Sequence, residues 1–156
     1  MTDYESQIQT EVARLADLSG DLSVPVPTCP GWTLAELVTH VGQTHRWAVH
    51  VLRDQVQERI WSRQVPSGLA EGQSGDAGWL LAGAAELLET LRATDPSMTV
   101  WTWGPDGKAS WWPRRMLFEL VVHRAEGGRG RRGRPPEPAG RPPRRRDGVE
   151  HQKPQH

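Results

Sequence analysis

The chain has 156 residues, enough for one domain or a small domain with a tail, and carries 19 basic against 19 acidic side chains. That balance joins two opposed parts: residues 1–123 hold 9 basic and 15 acidic groups, residues 124–156 hold 10 and 4. No run approaches the ~18 apolar residues of a membrane span, the acidic, polar start speaks against a signal peptide, and the single cysteine, Cys29, excludes a disulfide framework or a multi-cysteine zinc module.

A reducing cytoplasm fits that cysteine usage. Neither glycine-rich phosphate loop, GxGxxG or GxxxxGK[ST], is present, so nothing points to a nucleotide site.

Taken in chain order, residues 3–19 read as the first helix. Thr2 and Glu5 match a capping box, Ile8, Val12, Leu15 and Leu18 recur at helical spacing, and Gly20 ends the run. A Pro-rich loop over residues 20–32 contains Cys29. Thr33 and Glu36 form a second capping-box pattern. The helix they open carries Leu34, Leu37, Val38, Val41, Trp47, Val51 and Leu52, and the pattern predicts that it reaches about Trp61. Pro66 and Gly68 mark another loop. Residues 76–93 read as a third helix, with Leu80, Leu81, Ala84, Leu87, Leu88 and Leu91 at helical spacing and Asp95-Pro96 as its stop. Residues 96–110 are irregular and aromatic. Pro113 suits the first turn of a fourth helix running to about Arg124. Four amphipathic helices with few strand signals predict an all-α chain, a four-helix bundle over residues 1–126. Residues 127–156, rich in Arg, Pro and Gly with almost no apolar side chains, read as a disordered basic tail.

Chemistry concentrates in Met116-Leu117-Phe118-Glu119-Leu120-Val121-Val122-His123. Glu119 and His123 are four apart and share one helix face. A carboxylate in an apolar run needs a partner, and a metal ion would neutralise it. The plain alternative is a helical Glu/His pair facing solvent. A third ligand has to come from another helix. The second helix offers His40, beside the apolar Leu37, Val38 and Val41, whereas His45 and His50 fall beside arginines and read as exposed. His40, Glu119 and His123 together make a two-histidine, one-carboxylate set that leaves a coordination position open, and bundle cores build such sites from facing helices.

The run Val26-Pro27-Thr28-Cys29-Pro30-Gly31-Trp32-Thr33, followed by Leu37-Val38-Thr39-His40-Val41-Gly42, resembles the mycothiol-dependent maleylpyruvate isomerase family. So do Trp101-Thr102-Trp103-Gly104-Pro105, Arg115-Met116 and Glu119-Leu120-Val121-Val122-His123-Arg124. The resemblance implies a DinB-like four-helix bundle with a divalent metal, usually Zn²⁺, on His40, Glu119 and His123. It also implies mycothiol as thiol co-substrate and a small electrophilic substrate. A metal lowers the pKa of a bound thiol, so the implied activity is that of an isomerase or a thiol transferase. In the family the chain continues past the Glu/His helix, often into a smaller C-terminal domain. Here the composition changes abruptly after Glu126, as if GC-rich DNA were read in another frame.

Arg115 is the candidate catalytic side chain, able with Arg114 to hold a substrate carboxylate; first-turn arginines in solvent are the plain alternative. Cys29 sits ahead of a helix N-terminus, where a thiolate is stabilised, although a loop cysteine packed on Trp32 explains it equally. Trp101, Trp103, Trp111 and Trp112 suit a pocket mouth or a packed loop. Arg144, Arg145 and Arg146 could meet phosphates, but no aromatic residue interleaves with them, so nucleic acid is not the expected partner. The readings left beside an enzyme are a metal-binding bundle serving as a binding module and a tail that associates with nucleic acid. Exposed Trp and Leu faces leave room for a homodimer.

Overall fold

The computed structural model describes residues 2–26, 31–105 and 107–131; the side chains of residue 2 and of residues 123–131 lie outside the description. Among the described residues four helices carry the fold: α1 (Thr2–Leu18), α2 (Leu34–Arg53), α3 (Ala77–Ala93) and α4 (Trp111–Arg131), with a 3-10 turn at Ser62–Gln64. Among the described residues two isolated β-bridges, Pro25 with Thr33 and Thr99 with Lys108, are the only extended pairings.

Side-chain contacts fix the order and direction of the helices. Helices α1 and α2 each pack on both α3 and α4, so the ring runs α1–α3–α2–α4. Arg92, late in α3, meets Glu5, early in α1, at 2.9 Å, so these two are antiparallel. Thr39, Arg46 and Arg53 of α2 meet Gly75, Trp79 and Glu86 in the same order, so α2 and α3 run parallel. Trp101 N–H donates to the Val56 carbonyl at 2.6 Å, and Gln57 Nε2 donates to the Thr99 carbonyl at 2.8 Å. These bonds bring the end of α2 to the hairpin that precedes α4, so α2 and α4 are antiparallel.

Two parallel neighbours need a connection that returns along the bundle. Residues 54–76 supply it, pinned to α2 and α3 by side-chain donors that satisfy its carbonyls. Trp47 Nε1 donates to Ile60 O, Gln43 Nε2 to Ser62 O and Val65 O, and Trp79 Nε1 to Ser67 O. The core is formed by Ile8, Val12 and Leu15 of α1, Leu37, Val38, Val41 and Leu52 of α2, Leu80 and Leu87 of α3, and Trp112, Met116 and Leu120 of α4, all nearly or fully buried. Each such side chain contributes about 1.5–3 kcal/mol relative to exposure.

The bounds of α1, α2 and α4 differ from the sequence reading. Helix α1 begins at Thr2 itself, and the Glu5 carboxylate is held by Arg92 across the bundle. Helix α2 stops at Arg53, well short of Trp61. Gln55 enters the left-handed region (φ 47°) and Val56 N–H bonds the Val51 carbonyl at 3.0 Å, the six-to-one bond of a Schellman cap. The apolar residues beyond it, Val56 and Ile60, pack on the core from the crossover. Helix α4 is longer than predicted at both ends, so Pro113 is its third residue rather than its first. Residues 132–156 of the basic tail lie outside the described residues.

The Gln55 conformation yields a prediction. A non-glycine residue there carries a Cβ penalty that glycine avoids. Gln55→Gly is expected to raise stability by about 0.5–1 kcal/mol in urea denaturation. An unchanged or lower midpoint would show that the cap tolerates Gln55 without strain.

Candidate functional site

The seam between α2 and α4 is set by two tryptophans. Trp47 and Trp112 pack edge to face with ring centroids 5.1 Å apart. Because the two helices are antiparallel, seven residues toward the start of α2 and seven toward the end of α4 climb the same distance, about 10 Å. Those steps end at His40 and Glu119. Seven residues is close to two whole turns, so each returns to the stripe that faces the partner helix. Position 123 falls on the same stripe of α4 one turn further; the His123 side chain lies outside the described residues.

His40 is exposed, and its imidazole meets Trp32 edge-on at 5.6 Å. The local sequence holds Trp32 there. Glu36 Oε2 accepts the Thr33 N–H at 3.1 Å, and Leu34 N–H and Val26 N–H bond back to Val24 O and Trp32 O. Thr39, beside His40, accepts the Gly75 N–H on its hydroxyl at 2.8 Å, which ties α2 to the approach to α3. Glu119 is mostly buried, with 19 % of its side chain exposed. Its Oε1 accepts from Arg115 at 2.7 Å, an i,i+4 ion pair. The partner that a buried carboxylate requires is therefore, in part, Arg115. Among the described residues no cluster of three His, Cys, Asp or Glu side chains could hold a metal, a search that does not include His123.

The other sequence candidates separate. Arg114 is exposed on the outer side of α4. Cys29 lies outside the described residues. Trp112 is fully buried, while Trp101 and Trp111 pack partly against the core. Trp103 is exposed and meets Trp61 edge to face, with the Arg59 guanidinium at 4.3 Å from the Trp103 ring and 4.4 Å from the Trp61 ring. These tryptophans brace the hairpin and the crossover.

His50 is half-exposed and pairs with Asp54 at 3.1 Å. His45, read from the sequence as exposed, is 1 % exposed, and neither ring nitrogen has a hydrogen-bond partner among the described residues. Its place seven residues from both Val38 and Leu52 was the signal for burial. Burial, together with the Arg46 charge, pushes its pKa down to about 4, so at neutral pH it is an uncharged core group.

Residues 5–126 match the mycothiol maleylpyruvate isomerase N-terminal domain. The chain belongs to that family. No curated protein and no solved structure matches it. The family domain is a DinB-like helical domain, in agreement with the four helices observed here, and it ends within α4. No helix among the described residues is long and apolar enough to cross a membrane.

Proposed function

We propose that this member of the mycothiol maleylpyruvate isomerase family holds one divalent metal, zinc by preference, on His40, Glu119 and His123. We propose further that it uses mycothiol on a small electrophile, as an isomerase relative or a thiol transferase. The reading is supported by the α2–α4 seam: counted in helical turns from the Trp47–Trp112 contact, His40 and Glu119 fall at one level. Two imidazoles and one carboxylate are a donor set that zinc accepts, and three protein ligands leave a position for substrate. When bound, the metal supplies Lewis acidity that stabilises a thiolate at neutral pH. The chain's own side chains do the remaining work. Arg115 fixes the orientation of the Glu119 carboxylate, and Trp32 limits the swing of the His40 ring. His40 is exposed, so a thiol and a small electrophile could reach it from solvent. Arg115 is thus proposed as a positioning residue that acts through Glu119.

One observation favours a metal-free binding module instead: the Arg115–Glu119 pair already neutralises the carboxylate. Elemental analysis of the purified protein decides between them. The expected result is about one metal per chain, lost in both His40→Ala and Glu119→Ala while the helical circular dichroism persists. A well-folded wild type that takes up no metal, even with zinc supplied, would overturn the catalytic reading.

A further inference from the structure

Helix α4 carries a second chemical surface on the outer flank of the α2–α4 seam, with Arg115 between the two. Lys108, Ser110, Trp111, Arg114, Arg115 and Phe118 line a groove of about 680 Å³. That is within the size range of small-molecule sites. Trp111, Arg114, Arg115 and Phe118 recur at helical spacing on one stripe, and the groove continues onto the hairpin through Lys108 and Ser110.

The wall of the groove is aromatic. The Trp111 ring packs edge to face on the buried Trp112, with centroids 4.9 Å apart. Phe118, 57 % exposed, lies under the Arg115 guanidinium at 5.5 Å. The charge is one-sided. Among the described residues no carboxylate lines the groove and neither Lys108 nor Arg114 has an ion-pair partner; Lys108 Nζ reaches the Thr99 hydroxyl, at 3.1 Å. The first turn of α4 contains no acidic residue. Arg114 there works against the helix dipole, whose positive end lies at the same place, with Arg115 next to it. Cations clustered where local electrostatics disfavours them mark a place where the sequence serves something other than stability.

We propose that this groove is a binding site for a planar organic carboxylate, its charge held by Lys108, Arg114 and the Ser110 hydroxyl and its flat body laid against Trp111 and Phe118. The site goes beyond the thiol-dependent centre in the seam and does not depend on a metal there.

The test is calorimetric titration of the full chain with 2-naphthoate at low salt, with 2-naphthamide as the uncharged analogue. The Trp111 indole N–H signal, assigned by Trp111→Phe, is followed in parallel. The expected results are saturable naphthoate binding, a shifted Trp111 signal, little binding of the amide, and about tenfold weaker binding in Lys108→Ala and in Arg114→Ala. Both substitutions are at exposed positions outside the core, so folding is retained. His40→Ala, which tests the seam, is expected to bind naphthoate as the wild type does. No binding, equal binding of the amide, or wild-type affinity in both cation variants would overturn the proposal. Binding abolished by His40→Ala would place the anion in the seam and overturn it too.

Discussion

Acidification from pH 7 to pH 4 is expected to remove about 3 kcal/mol of stability through His45 alone. The ring is buried with both nitrogens unpartnered, and its pKa in the folded chain is about 4 against 6.5 for an exposed histidine. Above pH 6.5 the group is neutral in both states and adds no pH dependence. Between 6.5 and 4 the unfolded chain takes up a proton that the folded chain refuses, so stability falls as pH falls. Below 4 both states are protonated and the loss is complete. His45→Leu keeps the shape roughly, removes two unsatisfied polar atoms and removes the titration. The variant is expected to be about 1–2 kcal/mol more stable than wild type at pH 7, with the gap widening by about 3 kcal/mol at pH 4. Urea unfolding of both proteins at pH 7, 5.5 and 4 measures the gap. A gap that stays constant with pH would show that His45 is solvated or partnered in solution. Carboxylates such as Asp95, held down by Ser97 through a backbone and a side-chain hydrogen bond, titrate alike in both proteins and cancel in the comparison.

His45 also shows where the sequence was readable. Its neighbour Arg46 suggested an exposed position, but the stripe Val38–His45–Leu52 placed it inward, and periodicity outweighs adjacency on a helix. The four helices were legible because apolar residues recur along each of them at helical spacing. The end of α2 was not, because its Schellman cap uses Gln55 where the usual signal is glycine. The apolar residues after the cap serve the crossover rather than the helix. The up-down-down-up order was illegible for a related reason. It is held by indole and amide donors from Trp47, Gln43 and Trp79 to carbonyls of residues 60–67, bonds with no sequence signature. Within the site, the four-residue spacings of Arg115, Glu119 and His123 were plain in the sequence. That Arg115 spends its charge on Glu119, leaving Arg114 and Lys108 to the outer groove, required side-chain geometry.

Gly42→Ala is expected to destabilise the bundle by about 1–3 kcal/mol, against the ordinary rule that alanine improves a helix. Gly42 lies inside α2, where its lack of a side chain costs about 1 kcal/mol of helix propensity. The reason for keeping it is Trp79. A Cβ built on Gly42 would stand 2.7 Å from Cη2 and 2.9 Å from Cε3 of that indole, and one on Gly75 would stand 2.7 Å from Cδ2. The ring cannot easily give way. Its Nε1 is bonded to Ser67 O at 2.9 Å, and the Arg46 guanidinium lies 3.9 Å from the ring centroid while donating to Gly42 O and Trp79 O. Trp79 thus locks α2, α3 and the crossover together one half-turn from His40. A double-mutant cycle separates the clash from the propensity. In a Trp79→Ala background the obstacle is gone, and Gly42→Ala should become stabilising by about 1 kcal/mol. The sign reversal is the decisive result. If Gly42→Ala stabilises the protein in both backgrounds, the indole has room to move and does not set the spacing of α2 against α3. If it destabilises in both, something other than Trp79 occupies the space beside Gly42. With the reversal, the glycine two residues after His40 is explained by packing: it lets the indole hold α2 at the depth where His40 and Glu119 come level across the seam.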